Sequence, residues 1–148
     1  MSGIEARVYL DTSALLPYYR PEPMSDAVQQ LLQTVTTPVG ISLLTETELA
    51  SALARLVRTE ELTEPQAHRI FHTFEDDMRS GLFRRMPIAA AQFKKARGWL
   101  LGRRTTLRTL DALHLACSHA SGMVLLSADA TLCAAAQMLG VSCRQVTA

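Results

Sequence analysis

Four carboxylates stand where a carboxylate is costly. Asp11 follows Val8-Tyr9-Leu10, Glu48 lies in Leu43-Leu44-Thr45-Glu46-Thr47-Glu48-Leu49, Asp111 in Leu110-Asp111-Ala112-Leu113, and Asp129 after Val124-Leu125-Leu126-Ser127. Charge held in an apolar environment is expensive unless it is paired. No lysine or arginine lies in the apolar runs before Asp11 and Asp129. Acids gathered without a cationic side chain call for a metal cation, and oxygen-only ligands suit Mg2+ or Mn2+. Carboxylates around such an ion can hold a phosphodiester oxygen, activate a water and stabilise the leaving oxygen.

Competing chemistries find little support. The seven glycines are scattered and Gly-x-x-x-x-Gly-Lys is absent, which argues against an NTPase. Neither a Gly-x-Ser-x-Gly turn nor a Cys–His nucleophile context is present. A phosphatase using Asp11 as nucleophile would want a second acid at position 13, where Ser13 stands. His68 and His72 are four apart without an acidic or cysteine partner at useful spacing, so they read as a surface pair. His114, in an apolar helix, reads as a satisfied, partly buried histidine and not as a general base. Glu46 reads as a solvated acid, whereas Glu48 sits on the edge of the apolar stripe. Plainer roles exist for three of the four acids: Asp11 and Asp129 as helix caps, Asp111 as a first-turn acid favoured by the helix dipole.

The elements that must position these groups alternate between short strands and helices. Strands are expected at Arg7–Leu10, Val39–Ile41, Leu82–Met86, Met123–Leu126 and Cys143–Val146. Helices are expected after a Thr12 or Ser13 cap, over Met24–Val35, from Ser42 or Thr45 to Arg58, and from Thr63 to Met78. Three more should run from Pro87 to Leu101, Leu107 to Ala120 and Ala130 to Leu139. Pro17 should shorten or distort the first helix. Thr63-Glu64-Pro65-Gln66 has capping-box spacing, and Gly81 and Gly122 suit helix ends. Short buried strands alternating with helices predict a parallel α/β sheet covered on both faces. Ligands bind such sheets beyond the carboxyl ends of the strands, an edge that Asp11 and Asp129 can share.

Length, composition and charge set bounds. The 148 residues predict a single domain, 1–148, and 48% hydrophobic with 20% charged residues predicts an ordinary core. No apolar run approaches the ~18–20 residues of a membrane span, and no secretory leader is expected. Cys117, Cys133 and Cys143 read as reduced thiols of a cytoplasmic protein. Net charge is +1, but from Arg79 to Arg108 nine residues are basic and none acidic. Such a stretch can follow a phosphate backbone or form a solvated face. Trp99, Phe93 and Phe83 interleave with it and are expected to be core or dimer contacts before base-stacking groups.

These residues resemble a known family. Val-Tyr-Leu-Asp-Thr-Ser-Ala-Leu (8–15), Thr-Glu-Leu-Ala-Ser-Ala-Leu (47–53), Arg-Thr-Leu-Asp-Ala-Leu-His-Leu-Ala (108–116) and Leu-Leu-Ser-Ala-Asp-Ala-Thr-Leu (125–132) are similar to the successive acidic motifs of PIN-domain ribonucleases, above all the VapC toxins of bacterial toxin–antitoxin pairs. The resemblance implies a three-layer α/β/α sandwich with a short, mostly parallel central sheet of about four to five strands. It also implies a Mg2+- or Mn2+-dependent endoribonuclease in which Asp11, Glu48, Asp111 and Asp129 are catalytic and hold metal. Ser13, Ser127 and Arg108 would meet substrate. RNA, a cognate VapB-like antitoxin and a second copy of the chain are the implied partners. Val28, Leu31, Leu32 and Val35 with Leu49, Leu53 and Leu56 are expected to offer excess apolar surface for a dimer or an antitoxin helix. A housekeeping RNA-processing PIN nuclease, or a non-catalytic module binding RNA or protein, stays open beside this reading.

Overall fold

The computed structural model describes residues 7–35 and 37–148. In chain order the elements are β1 (Val8–Leu10), α1 (Thr12–Tyr19), α2 (Ser25–Gln33), β2 (Val39–Ile41), α3 (Leu43–Arg58) and α4 (Glu64–Ser80). There follow β3 (Phe83–Arg85), α5 (Ala90–Gly102), α6 (Thr109–Ala120), β4 (Val124–Ser127), α7 (Ala130–Met138) and β5 (Cys143–Gln145). The strands form one sheet in the order β3-β2-β1-β4-β5, and every pair is parallel. Tyr9 stands opposite Gly40 on one side and Leu125 on the other, so β1 is central.

Period-two alternation divides the core into layers. Val8, Leu10, Val39, Ile41, Phe83 and Leu126 pack with Leu15, Val28, Leu49 and Phe74 from α1 to α4. Tyr9 and Leu125 point the other way, toward Leu115 and Leu132 of α6 and α7. Gly40 shares that second face, where a Cβ would come within 2.5 Å of Met123 Sδ. The α/β/α sandwich is therefore the observed architecture, and it is fully parallel.

Several local expectations shift. Asp11 itself caps α1, accepting from Ala14 N–H, because the Ser13 hydroxyl turns back to donate to Asp11. Pro17 is accommodated inside α1, which ends two residues later. Helix α5 starts at Ala90 and not at Pro87, and Gln92 reaches back to the Ala89 N–H to close its first turn. The Thr63 and Ser42 caps and the left-handed Gly81 and Gly122 fall as the sequence predicts. The apolar stripe expected to await a partner is largely internal: Val28, Leu32, Leu49, Leu53 and Leu56 are buried and Leu31 and Val35 half-buried, because α2 and α3 turn it into the core. Apolar exposure is found instead at Leu43, Phe93, Leu101, Leu110 and Met138. Phe83 is core, and Trp99 packs against the opposite layer with Lys95 over its ring, while Phe93 is exposed. No described helix is long and apolar enough to cross a membrane.

Candidate active site

The strand order reverses direction at β1, and the crevice at the carboxyl ends of β1 and β4 is the natural ligand position of such a sheet. Asp11 and Ser127 end these two strands and meet there. Asp11 is only 6% exposed. Its Oδ2 accepts from Ser127 Oγ at 2.6 Å, and its Oδ1 from Ser13 Oγ at 2.7 Å and Ala14 N at 3.1 Å. Ser13 also accepts from Ala128 N, and Ser127 from Asp129 N, each at 3.0 Å. Both serines thus hold Asp11 and the β4–α7 turn. Burial pushes the Asp11 pKa upward, outweighing Ser127, Ser13, His114 and the Ala14 N–H, which all pull it down.

Glu48, Asp111 and Asp129 line a single cleft of about 640 Å3 with Arg108, Thr106 and Thr131. Helix termini explain the placement. Asp111 lies in the first turn of α6, and Asp129 caps α7 by accepting from Thr131 N and Leu132 N with one oxygen, Oδ1. Carboxylates are favoured at both positions by the helix dipole, so the plain capping role and membership of the acid group coincide. Asp129 is exposed, which corrects the expectation that it sits at an apolar cost. The Asp111 pKa is raised first by burial and then by the charges of Asp129 and Glu48, against a backbone hydrogen bond from Arg108 and the influence of His114. Among the described residues, no lysine or arginine side-chain nitrogen lies within 4.0 Å of any of the four acids.

Glu48 is held from behind. Thr12 Oγ1 donates to its Oε1 at 3.0 Å, and His114 Nε2 bonds the same oxygen, so Oε2 is left to the cleft. The other ring nitrogen, Nδ1, is 2.7 Å from Tyr9 Oη, which in turn is 2.8 Å from Ser42 Oγ. With the ring in its Nε2–H form, Tyr9 donates to Nδ1 and His114 donates to Glu48. Burial works against the Glu48 charge, yet the His114 and Thr12 contacts prevail and hold its pKa below the usual range. Burial also drives the Tyr9 phenol well above its ordinary value, so it stays a donor. His114 is buried and satisfied, as expected, but its partner is one of the four acids. The signal was its position three residues after Asp111, on the same helix face.

Glu46 is not a solvated acid. It takes Arg85 Nε at 2.5 Å and Nη2 at 2.9 Å, away from the cleft. His68 and His72 stack on the surface of α4 as expected, although His72 does find an acid, Asp76, at 3.8 Å.

A family model for the PIN domain matches residues 8–137, nearly the whole described chain. The chain belongs to the PIN-domain family. Solved structures agree in fold. FitAcB from Neisseria gonorrhoeae superposes with a TM-score of 0.71 at 21% identity, covering 92% of this chain and 95% of that one. VapBC from Salmonella typhimurium, solved bound to DNA, gives 0.71 at 15% identity over 96% and 99%. VapC20 of Mycobacterium tuberculosis, a sarcin–ricin-loop-cleaving toxin, gives 0.64 at 17% over 86% and 94%. No curated protein matches the chain. For a PIN domain the fit to a divalent cation can be tested on the donors themselves. Among the described residues, no three His, Cys, Asp or Glu side chains stand in ready coordinating geometry. The donor chemistry nevertheless fits: three oxygen-only side chains share one cleft, the charges of Asp129 and Glu48 bear on Asp111, and no lysine or arginine side chain lies within 4.0 Å of any of them.

Proposed function

We propose that this PIN-domain protein is a divalent-metal-dependent endoribonuclease, the toxin of a type II toxin–antitoxin pair acting in the cytoplasm. The observation that carries the reading is the convergence of Glu48, Asp111 and Asp129 on one cleft, with Asp11 buried at the strand ends beside it. Asp111, Glu48 and Asp129, together with Asp11, would hold Mg2+ or Mn2+. When bound, the ion supplies Lewis-acid polarisation of the phosphoryl oxygen and a water of lowered pKa. The chain's own contribution is positional. Ser13 and Ser127 fix both oxygens of Asp11, and Thr12 and His114 fix one oxygen of Glu48. Such preorganisation keeps charge aimed at the reacting phosphate without rearrangement during the reaction. Arg108, lining the same cleft, offers a guanidinium to a phosphate oxygen.

VapBC and FitAcB support an antitoxin related to VapB as one partner; a second copy of the chain is the other partner of this reading. The exposed Leu43 and Phe93 line an apolar groove of about 380 Å3 suited to protein contact. Sequencing RNA fragments after brief induction of the wild type and of Asp11→Asn tests the reading. Discrete new 5′ ends are expected with the wild type alone. Equal, EDTA-insensitive cleavage by both would sink it, and binding without turnover at any Mg2+ concentration would favour a non-catalytic module.

A further inference from the structure

The basic stretch from Arg79 to Arg108 is divided by the fold. Arg79 pairs with Asp76, Arg85 with Glu46, and Lys95 lies over Trp99. Arg103, Arg104 and Arg108 are exposed, and among the described residues no carboxylate lies within 4.0 Å of them. Arg103 and Arg104 line a second cleft of about 530 Å3, together with Thr106, Thr131, Ala134 and Met138. Thr106 and Thr131 also line the acidic cleft, so the two are adjoining lobes of one groove.

Arg103 is held at φ +48 at the end of α5, a left-handed conformation that glycine adopts more easily. Gly102 is next to it, yet arginine occupies the strained position. The turn it makes there carries the chain out of α5 with Arg103 and Arg104 both on the wall of the second lobe.

We infer that this lobe is a nucleotide subsite. Arg103 and Arg104 each take a phosphate of the strand whose scissile phosphate lies at the acids, two successive neighbours of that one. The threonine hydroxyls meet the ribose, and the Ala134 and Met138 surface receives a base face. This rests on the ribonuclease reading. An acidic peptide would satisfy the guanidinium groups but leave the apolar wall and hydroxyls unmatched, so RNA is the better occupant. Because the arginines meet backbone and not base edges, the subsite contributes affinity without sequence preference.

Fluorescence anisotropy of a labelled single-stranded RNA oligonucleotide tests it, using the Asp11→Asn chain without divalent ions so that no cleavage intervenes. Loss of two phosphate contacts should lower the log–log salt slope by about 1.4 and weaken binding roughly tenfold at ~0.15 M salt. That result is expected for Arg103→Gly/Arg104→Gln. The charge-matched pair Arg79→Ala/Arg84→Ala, whose residues line neither lobe, should leave the slope unchanged. Arg103→Gly alone should hold or raise Tm, which separates lost binding from lost folding. Equal weakening by both pairs, or an unchanged slope in the first, would overturn the subsite and leave the nuclease reading standing. No RNA binding by the Asp11→Asn chain at all would overturn both. Arginine-dependent binding of a polyglutamate peptide with RNA binding unchanged would assign the lobe to a protein segment and overturn this inference.

Discussion

Replacing Asp11 by asparagine should stabilise the fold while removing its activity. The asparagine side chain would keep its Oδ1 as acceptor for Ser13 and Ala14, and its amide could donate to Ser127 Oγ. All three hydrogen bonds survive; the charge does not. A buried carboxylate with no lysine or arginine side chain within 4.0 Å carries a desolvation penalty of several kcal/mol. Three hydrogen bonds to a charged acceptor recover about 1 kcal/mol each beyond their neutral counterparts. The balance favours asparagine by about 1–2 kcal/mol, or roughly 2–8 °C in Tm for a chain of this size. The pH dependence has a definite sign. Folding raises the Asp11 pKa, so the protonated form is the one the fold prefers. Stability is therefore lost as pH rises from the ordinary carboxylate pKa through the folded one. Calorimetry of both chains in EDTA between pH 4 and pH 8 should show a gap that closes at the acid end. Saturating Mg2+ should then raise the wild-type Tm more than that of Asp11→Asn. A lower Tm for Asp11→Asn at pH 7 in EDTA would refute the argument, because it would mean that the hydrogen bonds need the charge.

Other perturbations have equally definite outcomes. Tyr9→Phe orphans the buried Nδ1 of His114 and should cost about 1–3 kcal/mol, seen as a lower Tm, with weaker Mn2+ binding by titration. Glu46→Gln removes a two-point ion pair between a half-buried Glu46 and an exposed Arg85 and should cost about 1 kcal/mol while sparing RNA cleavage. Glu48→Gln, measured in the same cleavage assay, should abolish turnover. Gly40→Ala sets a methyl against Met123 and Met86, whose flexible ends can yield, so a loss of about 1 kcal/mol in chemical denaturation is expected.

Much of this was legible in the residues because local rules and the fold agree. Val8-Tyr9-Leu10 followed by an acid reads as a buried strand that gives way to a helix, and it is one. Thr63 with Gln66, and Gly81 after an amphipathic run, mark helix α4 from composition alone. Three of the four acids that the motifs single out do line one cleft. What stayed hidden was relational. Nothing near Tyr9 in the chain signals that its hydroxyl reaches His114, 105 residues away. Likewise, no local pattern says that Ser13 and Ser127 share Asp11, or that Arg85 takes Glu46 out of contention. The partner surface failed for a related reason. Helical spacing identifies an apolar stripe but not which body covers it, and here α2 and α3 lay theirs on the chain's own sheet.

The parallel topology also sets when the site can exist during synthesis. Asp11 is fixed by a serine 116 positions later, and Glu48 by a histidine 66 positions later. Loop closure over such separations precedes any reward from the contacts, so these pairings form late. A nascent chain that has exposed α1 to α5 but not α6 and β4 has two of its acids but neither Ser127 nor His114 to hold them. The groove is thus assembled only as the last third of the polypeptide joins the sheet, and a truncated or stalled product is inert by construction.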